Sequence, residues 1–308
     1  EWDRAVLTKL DAGFDEDING WDTSRVTTMD RMFSGQAAFN QSIGSWRVDN
    51  VTDMRWMFHD ASSFNQDISG WKCDKVTDMH SMFNGAKAFN QPIGNWDVSG
   101  VTDMSCMFAG AASFNQALGD WRVDKVEDTS YMFWEASSFN QPLGDWKVDN
   151  VTDMSCMFCG AAAFDHPLET WKVDNVTSMH AMFNGASSYR HPLAEWRIDN
   201  VANMSHMFSG ASAFIQPLGN WKLRPGCQTA SMFAATEFNN SRPVESEAPA
   251  PAPASLVPEA EIANALPDPA GAADAVEAEV AVAHAQIAEA RRSGALDEEG
   301  AAVAWAAA

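Results

Sequence analysis

Positive charge is what this chain has least of: 20 Lys and Arg stand against 42 Asp and Glu, a formal net charge of −22. Nucleic-acid binding rests on cations that neutralise phosphates, so this balance argues against a DNA or RNA partner. The deficit is general, because residues 241 to 308 hold 12 acidic and 3 basic side chains, leaving 30 and 17 for residues 1 to 240. Long apolar runs are also missing. No stretch approaches the roughly 20 residues that cross a bilayer, and the opening "EWDRAVLTKL" reads as neither a signal nor a transit peptide. Five cysteines, an odd number, argue against a complete disulfide framework. Catalytic constellations are absent as well: there is no nucleophile beside a base, no phosphate-cradling loop and no pair of carboxylates outside regular columns. Neither an enzyme nor a cofactor is expected.

Repetition is what the chain has in abundance. Trp21, Trp46, Trp71, Trp96, Trp121, Trp146, Trp171, Trp196 and Trp221 follow one another at intervals of 25 residues. With each Trp as position zero, the rest falls into columns. Val stands at +5 from Val26 to Val201, with Gly226 breaking the series, and Met at +8, with Thr129 and Thr229 as exceptions. Met-Phe stands at +11 and +12 from Met32-Phe33 to Met232-Phe233. An aromatic occupies +18, from Phe39 through Tyr189 to Phe214, and Ile or Leu occupies +22, from Ile43 to Leu218. A unit of this size with about seven apolar columns cannot bury them alone, whereas stacked copies bury them against one another. The pattern therefore predicts a repeat solenoid of about nine 25-residue coils over residues 14–240.

Within a coil, Trp at zero and an apolar residue at +2 alternate with polar neighbours, which predicts a short parallel strand paired with its copy in the next coil. Met at +8 and Met-Phe at +11 and +12 have the spacing of one face of a helix, which predicts a short helical turn. Asp at +7, as in Asp53 and Asp78, is placed to cap it, and Gly at +14, as in Gly85 and Gly110, to end it.

The segment "VTDMSCMFCGAAAFDHPLETW", residues 151–171, and its sister units resemble the Met-Phe-containing repeats of the DUF285 family, described in mycoplasma surface lipoproteins and distantly related to BspA-like leucine-rich repeats. The resemblance runs over residues 14–240. It implies a leucine-rich-repeat-like solenoid, a place on the cell surface or in a secreted protein, a role in adhesion or interaction, and no catalytic residues.

Stacking turns each outward column into a ladder. At +1 stand Arg47, Lys72, Asp97, Arg122, Lys147, Lys172, Arg197 and Lys222, and the cations form a candidate docking strip for an acidic protein or an anionic glycan. The competing reading is local neutralisation by Asp49, Asp74, Asp124, Asp149, Asp174 and Asp199 two residues on. Thr at +6, including Thr77 and Thr102, beside Asp at +7 raises a weaker idea of ice or mineral binding. Asn at +19, from Asn40 to Asn140, predicts an amide ladder between coils, interrupted by Asp165 and Arg190, with His166 and His191 one position on. Cys156 and Cys159 form a C-x-x-C with no second pair for zinc, and free thiols within the packing account for them.

The period ends after Phe238. Residues 1–13 read as an N-terminal cap, 241–271 as a Pro/Ala/Glu-rich linker, and 272–308 as an extended Ala-rich tail with one helix. Val276, Val280, Ile287 and Trp305 give that tail a thin apolar side and a candidate docking surface. Two functions from different classes follow. One is a non-catalytic interaction or adhesion scaffold for a protein or glycan. The other is a structural linker subunit of a large assembly, in an organelle lumen or on the periphery of a membrane complex such as a photosynthetic one, docked by solenoid and tail.

Overall fold

The computed structural model describes residues 17–236 and one backbone pair at 244–245. These lie in the first of two units of the chain, Glu1–Pro249. The N-terminal cap, the rest of the linker, the tail helix and the docking residues Val276, Val280, Ile287 and Trp305 lie outside the described residues.

The described chain is a repeat solenoid. Inward columns form one continuous core, in which Met, Phe, Val and Ile or Leu of successive coils are almost wholly buried. The Phe33 column stacks ring on ring from coil to coil, with centroids 5.5–5.8 Å apart up to Phe233. A second column from Phe39 to Phe214 runs beside it at 5.7–6.1 Å. The two columns meet within each coil, as at Phe33 and Phe39, 3.8 Å apart. Trp closes the core and satisfies its own indole. Trp46 Nε1 donates to the Ile18 carbonyl at 3.2 Å, and the same bond recurs in every later coil at 2.8–3.2 Å. A buried indole N–H without an acceptor would oppose folding, which is why a Trp can stand here in each unit.

The coil-to-coil ladder does not run where alternation placed it. The Trp segment folds as turns, with Trp46 N–H bonded to the Ile43 carbonyl at 3.0 Å and Val51 N–H to the Val48 carbonyl at 2.9 Å. Parallel pairing instead follows the Met-Phe segment. The N–H groups of Met29, Arg31, Phe33 and Gly35 donate to the carbonyls of Asp53, Arg55, Met57 and His59 in the next coil at 2.7–2.9 Å. Single parallel bridges link position +7 of each coil to the next, from Thr28–Asp53 to Asn203–Gln228. Nor is that segment helical. Its internal bonds close isolated turns, such as Met32 N–H to the Met29 carbonyl at 3.2 Å and Gln36 N–H to the Phe33 carbonyl at 3.1 Å. The third residue of each turn is left-handed, with φ 55° at Arg31 and 75° at Gly35. A right-handed helix cannot contain such a residue. The left-handed residue shifts the facing by one, so +8, +11 and +12 all point inward from a backbone that pairs like a strand.

Among the described residues the one extended pair lies at the end of the solenoid. Strand β1 (Lys222–Leu223) pairs in parallel with β2 (Val244–Glu245), in the register Lys222 to Val244 and Leu223 to Glu245.

Candidate functional site

Three outward surfaces emerge. The first contains the +1 ladder. Arg47, Lys72, Arg122, Lys147, Lys172, Arg197 and Lys222 are all exposed in one row. Much of it is neutralised by the row at +3. Arg47 reaches Asp49 at 2.9 Å, Arg122 reaches Asp124 at 3.3 Å, Lys172 reaches Asp149 at 3.5 Å, and Arg197 reaches Asp174 at 3.2 Å and Asp199 at 3.7 Å. The hydrogen bond from Arg47 holds the Asp49 carboxyl below its ordinary value, with Lys72 adding to the effect. Exposed pairs of this kind are worth little in stability. They do leave the strip with less net charge than its basic residues alone suggest.

The second surface is built from small polar ladders whose capacity is spent within the fold. Hydroxyls of Thr52, Thr77, Thr102, Thr152 and Thr177 donate to carbonyls one coil back at 3.1–3.3 Å. At +19, Asn65, Asn90, Asn115 and Asn140 each donate backbone N–H to the preceding Asn side chain at 2.9–3.0 Å, as expected from the sequence. Gln at +20 adds a second bond to the same amide oxygens at 2.9–3.1 Å. His166 and His191 continue the row by bonding the carbonyls of Asn140 and Asp165 at 3.2 and 3.0 Å. The Asn side chains at +4 form a further ladder, since those of Asn50, Asn150, Asn175 and Asn200 donate one coil back at 2.6–2.9 Å.

The third surface had no separate expectation attached to it. Positions +9, +10 and +13 flank the buried Met-Phe pair and are partly exposed in most coils, with Ser81, Cys156 and Ala181 at +10 buried, and here the repeat stops repeating. Column +10 reads Arg31, Trp56, Ser81, Cys106, Tyr131, Cys156, Ala181, His206 and Ser231. Column +13 contributes His59, Asn84, Trp134, Cys159 and Asn184, and column +9 contributes Arg55, His80 and His180. All nine +10 residues are left-handed, with φ of 51–60°, and none is glycine. Side chains touch within and between coils. Arg31 Cζ lies 5.3 Å from the Trp56 ring centre, and Trp56 packs against His59 at 4.8 Å and His80 at 5.0 Å. His80 Nδ1 meets Ser105 Oγ at 2.6 Å, and that hydroxyl donates to Asp103 at 2.5 Å. Farther along, His180 and His206 meet edge to face at 5.9 Å.

Asp at +7 borders this face and caps its turns. Asp53, Asp78, Asp103, Asp128 and Asp153 each accept the N–H two residues on at 2.7–3.0 Å, so the capping expected from the sequence holds although it serves turns. Burial raises the carboxyls of Asp78 and Asp128 above their ordinary value, with neighbouring Asp residues of the same column adding to the effect. Among the described residues no group of three His, Cys, Asp or Glu converges as a metal site, and no helix is long and apolar enough to cross a membrane.

The useful signal for this third face was in the sequence. Beside an invariant Met-Phe pair, columns +9, +10 and +13 carry Trp, Tyr, His, Arg and Cys in no order.

A family model described as "Mycoplasma protein of unknown function, DUF285" matches residues 5–99, 68–166 and 143–245. No curated protein matches the chain.

Proposed function

Because the chain belongs to the DUF285 family, whose description assigns no activity, we propose a role read from the surface: a non-catalytic scaffold that holds a protein or glycan on the face made by columns +9, +10 and +13. One observation carries the reading. A left-handed backbone position favours glycine, and any other residue there costs about 1–2 kcal/mol. Nine coils nevertheless place side chains at +10, among them Trp56, Tyr131, His206 and Arg31. Half-buried Trp and Tyr give large contact area for little lost rotamer freedom, as binding surfaces require. The rigid stack beneath holds them at fixed spacing, so a partner meets a pre-organised row.

In this reading the solenoid is leucine-rich-repeat-like in its economy, with one parallel ladder per coil and turns on the remaining sides. The family's mycoplasma surface proteins favour a cell-surface or secreted setting.

The test is a screen of the full chain against glycan and peptide arrays, repeated with Trp56→Ala/Trp134→Ala and with Arg47→Ala/Arg122→Ala/Arg197→Ala. Ligands of the wild type should be lost with the first variant and retained with the second. The opposite pattern would move the binding face to the +1 ladder.

The linker-subunit reading draws on the β1–β2 pair, which ties Val244–Glu245 to the last coil. Isolation of the native chain in a stoichiometric large complex, lost on deletion of residues 250–308, would favour it over the scaffold reading.

A further inference from the structure

One pair of side chains on the outward face has a chemistry that partner binding does not need. Cys156 at +10 and Cys159 at +13 belong to the same four-residue turn, closed by Cys159 N–H donating to the Cys156 carbonyl at 3.0 Å. The two residues between them, Met157 and Phe158, are fully buried, Cys156 is nearly so at 7 % exposure, and Cys159 is half-buried. Chain ends of such a turn lie within about 7 Å of each other, and a disulfide needs Cα atoms about 4.4–6.8 Å apart. The same two positions in the second coil bring Trp56 and His59 into ring contact at 4.8 Å. In the sixth coil the Cys159 side chain is near enough to Cys156 to be the leading cause of its raised thiol.

We propose that Cys156 and Cys159 form a redox-active dithiol that is oxidised to an intramolecular disulfide by small-molecule disulfides. Their placement assigns the roles. Cys159 is half-buried and reachable, whereas Cys156 is buried beneath it. The Cys159 thiolate attacks one sulfur of the small disulfide, forming a mixed disulfide and releasing one thiolate, which takes up a proton. Cys156 then loses its proton to solvent and its thiolate attacks the Cys159 sulfur. The protein disulfide forms and the second small thiol leaves. Two electrons pass from the protein dithiol to the small disulfide, which becomes two thiols.

The surroundings support this order. Neighbouring Cys159, followed by burial, raises the Cys156 thiol, so Cys156 is a poor first nucleophile. Once Cys159 is in a mixed disulfide it is no longer an ionisable neighbour, and that leading cause is relieved. A hydrogen bond from Tyr131 in the preceding coil favours the Cys156 thiolate and makes Tyr131 a positioning residue. Cys73 and Cys106 provide a contrast. Burial pushes Cys106 up to about 12 and raises Cys73 as well, and neither has a cysteine within its own turn.

The sequence offers a direct assay, because trypsin cleavage after Lys147 and Lys172 releases residues 148–172, which contain Cys156 and Cys159 and no other cysteine. The full chain is incubated with oxidised glutathione, quenched in acid, alkylated, digested and weighed. The expected product is a peptide lighter by two hydrogens that takes up no alkylating agent, while Cys73 and Cys106 are alkylated. Cys156→Ser should stop at a glutathione adduct on Cys159. Cys159→Ser should leave Cys156 largely unmodified, and Tyr131→Phe should accumulate the mixed disulfide while leaving its rate of formation unchanged. Circular dichroism melting of each variant establishes that it is folded. A persistent glutathione adduct on the folded wild type, or alkylation of both cysteines to the extent seen at Cys106, overturns the proposal.

Discussion

Two outward rows run along the same solenoid and differ in what repetition has done to them. The row at +1 and +3 reads cation followed by aspartate in six of the nine coils, and its charges meet within the row, as in Arg47–Asp49 and Arg197–Asp174. The row at +9, +10 and +13 changes from coil to coil, and its side chains form local groupings: Arg31 with Trp56 and His80, Cys156 with Cys159, His180 with His206. Identical rows follow from stacking identical units and need no other cause. A varied row on an otherwise repetitive frame does need one, and the cost of non-glycine residues at +10 makes the contrast sharper.

The comparison can be broken most severely from beneath. Met107→Asp puts a carboxylate in a fully buried column, where an unpaired charge has no solvation. Loss of the cooperative melt over neighbouring coils is expected, and native-like stability would sink the column assignment. Asn90→Ala acts less severely, on a ladder away from both rows. It removes the acceptor for Asn115 N–H at 3.0 Å and for the Gln116 amide at 2.9 Å, a loss of about 1–2 kcal/mol in chemical denaturation.

Asp128→Asn tests the border of the varied row. Because burial raises the Asp128 carboxyl above 3.8, the folded chain holds that proton at a higher pH than the unfolded chain does. Stability from this group therefore grows as pH falls through the folded value toward 3.8 and is lost as pH rises. The variant should melt higher than the wild type at neutral pH, and the gap should close on acidification. Asn203 already fills the same position and accepts the Ser205 N–H at 3.0 Å, so the cap survives the change. A lower melting temperature at neutral pH would mean that the charge strengthens the cap more than burial opposes it. Arg122→Ala is the mildest, within about 0.5 kcal/mol by denaturation, as for exposed pairs in general. A larger loss would show that the regular row is cooperative along its length.

Much of this architecture was legible in the letters. The 25-residue period located the large apolar columns but not the buried Ala at +15, from Ala61 to Ala211; the amide ladder at +19 followed from stacking, and the Asp caps at +7 from the place of Asp before a turn. The local conformation did not. Met at +8 with Met-Phe at +11 and +12 has helical spacing, yet a left-handed residue at +10 produces the same inward set from a strand-like backbone. Three apolar letters cannot distinguish the two, because no glycine marks +10 as it does +14 in Gly85 or Gly110. The Trp-x-Val alternation likewise looked like a strand, but the indole bond to the coil below accompanies a turn. The face at +9, +10 and +13 was not legible because a stacking argument reads only columns that repeat, and these do not.

The coil-to-coil ladders have a consequence for heredity. Each unit presents the same set of donors and acceptors on each of its two edges, so a deletion or duplication of one whole 25-residue unit rejoins matching edges. Such a gene can lengthen or shorten its product without inventing a new fold. Each event would rewrite one line of the varied row and leave the frame that displays it intact.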